Sequence, residues 1–340
     1  MIPKKVILDC DPGSDDAIAM MLAMKSDAID LIGVTTVNGN RIVPKTTENA
    51  LRVVQFMKSS VPVYRGCEEP IICNEIPGRK PGLPRVTLND CHGAFLPLPE
   101  AEIRTEKEHA VFYLVKTLME SEGDIYVAAV GPLTNLAMAL RIEPKIAGKI
   151  KQLVIMGGGH CGANASPAAE FNFYADPEAA KIVMDSAIPK VILPLDATWR
   201  ACLSEEKCKE LAQLGTPEAK VAAALVQKRI DNLKVNDVSE HNYALRHQAG
   251  TVAGAMLYRY DNHMAPIHDA LAIAYLINEN VVTELADANV DIDIAGGLCD
   301  GRMVADFHNT KKSKDPVTAK VALNSDAGLF TDMLFAALGK

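Results

Sequence analysis

The apolar run Val6-Ile7-Leu8 leads into Asp9-Cys10-Asp11-Pro12-Gly13-Ser14-Asp15-Asp16, and Ala17-Ile18-Ala19-Met20-Met21-Leu22-Ala23 follows at once. An apolar run, a Pro-Gly break and a second apolar stretch predict a buried strand, a tight turn and a helix. Four aspartates in eight residues are thereby placed at the C-terminal mouth of a strand, where open α/β sheets bind ligands. A capping role explains one aspartate at such a turn. It does not explain Asp11, Asp15 and Asp16 together, because like charges this close raise one another's pKa unless a cation offsets them. The pattern points to a hard-metal site built from oxygen ligands.

The remainder of the chain predicts an α/β protein. Strands are expected at 31–37, 61–64, 124–130, 153–156 and 191–195, with helices at 43–58, 106–120, after Gly131-Pro132-Leu133-Thr134-Asn135, and from Asp176-Pro177-Glu178. Residues 204–260 read as helical with a break near 235–242, and 267–277 as a further helix. A hairpin is expected from 290–295 and 303–307, then a strand at 318–323. Residues 65–103, rich in Pro and Gly, form one long loop, a length usually kept for function. Residues 1–340 carry no linker-like stretch, so a single domain with a mainly parallel open sheet and helices on both faces is expected.

Composition narrows the partners. A formal charge of −8 without runs of Lys or Arg argues against a nucleic-acid surface. No apolar segment reaches the length of a membrane span, and Met1-Ile2-Pro3-Lys4-Lys5 has no signal-peptide pattern. The eight cysteines contain no Cys-x-x-Cys pair, which predicts reduced thiols in the cytoplasm and no zinc site.

Polar groups follow nearly every early strand: Asp9 and Asp11, Asn38 and Asn40, Val130-Gly131, Met156-Gly157 and Asp196. In a parallel sheet these ends share one edge and converge on one crevice. Asn164 and Glu170-Phe171-Asn172 follow the triple glycine Gly157-Gly158-Gly159, and His268-Asp269 opens a helix after Pro266. Singly, each has an ordinary reading as a cap, a turn or a surface histidine. His92, in the long loop, has the same one.

Together these segments resemble the inosine–uridine-type nucleoside hydrolases, which cleave ribonucleosides to ribose and free base. The resemblance runs through the Asp9–Ala17 signature, Thr35–Asn40, His92-Gly93, Gly131–Asn135, Met156–Gly159, Ala169–Asn172, Val191–Asp196, His268-Asp269 and Gly301–Asp306. It implies a Ca²⁺ held by Asp11, both oxygens of Asp16, Asp269 and the Val130 carbonyl, with Asp11 as the base for a metal-acidified water. Asp15, Asn164, Glu170 and Asn172 would contact ribose hydroxyls, with Asn164 and Glu170 at the 5′-hydroxyl and Phe171 within the same substrate-binding stretch. Asn40 would orient the acidic cluster, and Met156 would pack beneath the sugar. His268 stands where nonspecific and pyrimidine-preferring members carry the histidine that protonates the leaving base, and purine-specific members a stacking tryptophan. A nonspecific or pyrimidine-preferring enzyme is therefore expected, with His92 near base or ribose and a lid drawn from Tyr243, His247, Tyr258 and Tyr260. Relatives assemble as dimers or tetramers, so a homodimer or homotetramer is expected.

Two rivals remain at this stage. A haloacid-dehalogenase-type phosphatase also begins with Asp-x-Asp after a strand, but its motif continues with Thr or Val where Gly13 stands. A non-catalytic nucleoside- or ribose-binding protein would keep the fold without the chemistry, yet every candidate ligand and the acid are present.

Overall fold

The computed structural model describes residues 2–72, 75, 95–235, 263–308 and 319–340. The 6–8 run extends into β1 (Lys4–Cys10), the Pro-Gly turn follows, and α1 (Ser14–Lys25) begins as predicted. Further along come β2 (Ile29–Thr36), α2 (Val43–Phe56), β3 (Val63–Arg65), α3 (Ala110–Glu120), β4 (Ile125–Ala129), α4 (Thr134–Ile142) and β5 (Ile150–Met156). Next are the short α5 (Phe171–Ala175), then α6 (Pro177–Met184), β6 (Lys190–Leu193), α7 (Leu195–Thr198), β7 (Cys202–Ser204), α8 (Glu205–Gln213) and α9 (Pro217–Val235). The last elements are β8 (Met264–Pro266), α10 (His268–Ile277), β9 (Val282–Ile292), β10 (Met303–Asp306), β11 (Ala319–Ser325) and α11 (Ala327–Leu338).

Nine strands form one mixed, mostly parallel sheet in the order β10-β9-β11-β6-β5-β4-β1-β2-β3. The pairs from β3 through to β11 are parallel, while β9 joins β11 and β10 antiparallel, which gives the expected hairpin. Successive side chains on a strand point to opposite faces. Accordingly Val6, Leu8 and Cys10 join a core made with α1, α2 and α8–α11. Ile7 joins a second core made with α3, α4 and α6. Both faces of the sheet are therefore covered, as near-continuous apolar parallel strands require.

The chain runs from β1 outward to β2 and β3, then returns to place β4 on the other side of β1. This reversal makes a topological switch point, and the crevice beyond the carboxyl ends of β1 and β4 is where such sheets take ligands.

Several boundaries differ from expectation for identifiable reasons. Helix α3 starts at Ala110 because His109 caps it, its Nδ1 accepting the Val111 N–H at 3.3 Å. The helical region after 204 breaks at 214–216, ahead of Pro217. Strand β9 begins eight residues before the expected 290, because it also pairs with β11. The antiparallel β7–β8 ribbon was not foreseen, since three-residue strands carry too little pattern to read. Among the described residues no helix is long and apolar enough to cross a membrane.

Candidate active site

The acidic cluster forms where α1 and α10, packed against one another, present their N-termini at the switch point. Aspartates in the first turn are favoured at such termini by the helix dipole. Asp15 and Asp16 open α1, and Asp269 opens α10. One carboxylate oxygen from each lies within 4.8 Å of the others, and all three residues are buried. Asp16 also serves the turn itself. Its Oδ1 accepts the Asp11 N–H at 3.1 Å and its Oδ2 the Gly13 N–H at 2.8 Å, so the ordinary capping role is real at this residue. Each carboxylate oxygen has further lone pairs, so capping does not exclude cation binding.

Asp11, 1% exposed, is wedged between two close-approaching glycines. A Cβ at Gly131 would meet its Oδ1 at 2.6 Å, and one at Gly39 would overlap its Oδ2 outright. Glycine at both positions is what lets this carboxylate lie beside the β2 and β4 exits. The Asn40 N–H donates to Asp11 Oδ2, and the Asn40 side-chain amide reaches Asp11 O at 3.2 Å and Asp16 Oδ2 at 3.3 Å. Asn40 therefore ties two of the acids together. Burial, then the neighbouring Asp16 charge, holds the Asp11 carboxyl well above the usual range. Asp269 is raised likewise, first by burial and then by Asp15, Asp16 and Asp11, with Arg229 opposing.

Asp9 lies apart from this cluster in its contacts. Its Oδ1 accepts from Thr35 Oγ1 at 2.6 Å and from Asn135 Nδ2 at 2.7 Å, which makes it a buried brace across β1, β2 and α4. Desolvation pushes it up to about 6 against those two donors.

On the β5 side, Asn172 Nδ2 donates to Val130 O at 2.8 Å and Met156 O at 3.0 Å, and lies 3.4 Å from Met156 Sδ. Glu170 caps α5. It accepts from the Gly158 N–H at 2.8 Å, the Asn172 N–H at 2.9 Å and the Phe173 N–H at 3.3 Å. Burial nevertheless pushes it up to about 7. Asn164 Oδ1 accepts the Phe171 N–H at 2.8 Å, which folds the 164–171 loop back on itself. His268, 7% exposed, has Nδ1 2.8 Å from Thr198 Oγ1, which fixes the orientation of its ring. Asp196, one of the strand-end groups, instead holds the His160 and Cys161 N–H groups at 2.8 and 2.9 Å. Trp199 is buried beside Thr198, and the residue that opens α10 is His268.

Asp11, Asp16, Asp269, Asn40 and Asp15 thus gather at one end of the sheet, and Asn172 links Val130 to Met156 beside them. The carboxylate cluster itself is Asp15, Asp16 and Asp269, so Asp15 stands within it where a ribose contact alone was expected. His92 and the lid candidates Tyr243, His247, Tyr258 and Tyr260 lie outside the described residues. Two further residues escaped the sequence reading. Thr198 orients His268, and Arg229 on α9 places Nη1 2.8 Å from Asp15 Oδ2. Neither sits in a motif, and both contacts join segments distant in sequence.

A buried, oxygen-only, strongly acidic donor set at a switch point is one that could hold a hard cation. The chain belongs to the inosine-uridine preferring nucleoside hydrolase family, whose model matches residues 6–332. It is a nucleoside hydrolase, an N-glycosidase. It is 36% identical over 337 residues to the pyrimidine-specific ribonucleoside hydrolase RihB of Escherichia coli, covering 97% of this chain and 95% of that one. Its fold matches a plant nucleoside hydrolase with a TM-score of 0.80 at 27% identity, over 99% of both chains. A purine-preferring ribonucleoside hydrolase from Gardnerella vaginalis matches with a TM-score of 0.80 at 26% identity, over 99% of this chain and 98% of that one. This membership removes the phosphatase reading.

Proposed function

We propose that the protein hydrolyses the N-glycosidic bond of ribonucleosides with a bound Ca²⁺, and that pyrimidine ribonucleosides are preferred. The observation that carries this is the buried carboxylate cluster at the α1 and α10 N-termini with His268 adjoining Asp269. A donor set of carboxylate oxygens and one backbone carbonyl suits calcium, with its many flexible oxygen ligands, better than a soft or strictly octahedral ion. Asp11, Asp16, Asp269 and the Val130 carbonyl would hold it. When bound, the ion supplies Lewis acidity to a water and to the ribose diol.

The chain's own groups account for the remaining chemistry. Asp11, held beside Asp16 by Asn40, accepts the proton of the attacking water. The fixed carboxylates stabilise the positive charge that develops on the sugar, as in other glycoside cleavages. Asp15, Asn164, Glu170 and Asn172 bind ribose hydroxyls, Met156 and Phe171 line the sugar, and Asn40 keeps Asp11 and Asp16 in place. His268 donates a proton to the leaving base from the ring nitrogen opposite Thr198. The pyrimidine preference is suggested by His268 and by the 36% identity to a pyrimidine-specific relative.

The test is sugar release from uridine, cytidine, inosine, adenosine and guanosine. Uridine and cytidine turning over fastest supports the reading. Binding without turnover of any of them would convert the assignment to a nucleoside-binding protein. Turnover led by purines would remove the preference and leave the chemistry.

A further inference from the structure

Helix α9 packs against α1 and β8, and it reaches the acidic cluster with one side chain. Arg229 is 14% exposed in its side chain, Asp15 is 9% exposed in its own, and their charged atoms are 2.8 Å apart. The contact is a close charge pair and not an aligned hydrogen bond at Nη1. The guanidinium also acts on Asp269 across the cluster, opposing the neighbouring acids there. A guanidinium stays charged under all ordinary conditions, so this is a permanent positive charge built into the site.

Its position bears on how the acids divide their work. Asp15, Asp16 and Asp269 present oxygens within 4.8 Å of one another, so all three are placed to take one cation. Were all three to do so, Asp15 would be drawn to the ion. Arg229 supplies Asp15 with a different counter-charge, placed 2.8 Å from its Oδ2. A dication and one guanidinium against Asp11, Asp15, Asp16 and Asp269 still leave a residual negative charge, which suits a cationic transition state.

We propose that Arg229 is a positioning residue that reserves Asp15 for the ribose hydroxyls by neutralising it and keeping it from becoming a further carboxylate ligand of the cation. The inference rests on the calcium-dependent reading of the site and assigns a determinant of ribose binding that lies on α9, outside every motif of the chain.

Calcium titration of chelator-stripped protein, followed calorimetrically, tests it together with steady-state kinetics on uridine. In R229Q the released Asp15 joins the ion, so calcium should bind about three- to tenfold more tightly while KM for uridine rises at least about tenfold. The change in kcat should be smaller than the change in KM. R229K keeps the charge, so its calcium affinity should stay within about twofold of wild type, with KM partly restored. In the D15N background, R229Q should tighten calcium less than in the wild-type background, because no carboxylate is released. A lowered Tm with unaltered calcium affinity and KM would mark Arg229 as merely structural and overturn the proposal. So would R229K behaving like R229Q, or equal tightening with and without Asp15. If R229Q misfolds, R229K and the D15N background still decide. Wild type that binds calcium and cleaves uridine, with R229Q unchanged in both, removes the inference alone. Wild type that does neither removes the functional reading beneath it.

Discussion

Two groups of buried carboxylates sit within one sheet's reach and are balanced in opposite ways. Asp9, Glu170 and Asp176 are each surrounded by donors. Asp9 has Thr35 and Asn135, Glu170 has three backbone N–H groups, and Asp176 has Thr134 at 2.7 Å plus the Ile71 and Ala179 N–H groups at 3.0 and 3.1 Å. Burial raises these three to about 6, 7 and 6 against those donors. Asp11 and Asp269 are raised further, and after burial the leading causes are the other acids. The first group is met mainly by donors of the chain itself, although Asp9 Oδ2 is buried without a hydrogen-bond partner among the described residues and Glu170 also stands in the proposed ribose site. In the proposed reading the second is completed by a cation, and that difference separates scaffold from site.

The comparison is broken most directly at Asp11 and Asp16. D11N should keep the fold and lower uridine turnover by at least about a hundredfold, the scale of a lost general base. Near-wild-type turnover would transfer Asp11 to the scaffold group. Next in size is calcium itself. A thousandfold excess over its Kd should stabilise the wild-type protein by about 4 kcal/mol, read as a rise in Tm, and D16N should show no such rise. An equal rise in D16N would place the ion elsewhere.

Cutting the scaffold group should do the converse. N135A strips one of Asp9's two donors from a buried carboxylate and should cost about 1–3 kcal/mol of stability, with calcium affinity unchanged. Altered calcium affinity would join Asp9 to the site.

The smallest effect is a pH slope. Glu170 is raised to about 7 from 4.5 by burial, so the folded chain holds its proton more tightly than the unfolded chain does. Its contribution to stability is fully present below about 4.5 and is lost as pH rises through about 7. Chemical denaturation of the metal-free protein between pH 5 and 8 should show a decline that flattens in E170Q. An unchanged slope in E170Q would assign the decline to other groups.

Much of this division could be read in the chain. The strand–turn–helix at 6–23 was legible because its apolar runs are bounded by Pro12-Gly13, and the acids at its mouth had no bulk-water explanation for all of Asp11, Asp15 and Asp16. Asp9 stood outside the ligands expected of the site, and its partners Thr35 and Asn135 could not be named from sequence. The β7–β8 ribbon was too short to carry a period. Arg229 and Thr198 were invisible for a different reason. Their contacts bridge 214 and 70 positions of sequence respectively, and an isolated Arg on a helix or Thr at the end of a one-turn helix has no local signature. His92, Tyr243, His247, Tyr258 and Tyr260, expected at the base end, lie outside the described residues.

The central claim is that the Asp16 and Asp269 side of the site requires a cation while the Asp9 side does not. Calorimetric titration of calcium into chelator-stripped wild type, D16N and N135A tests it in one measurement. The account predicts one calcium per chain for wild type and for N135A with similar affinity, and no saturable binding for D16N over the same range. Binding to D16N indistinguishable from wild type, or loss of binding in N135A alone, would contradict it.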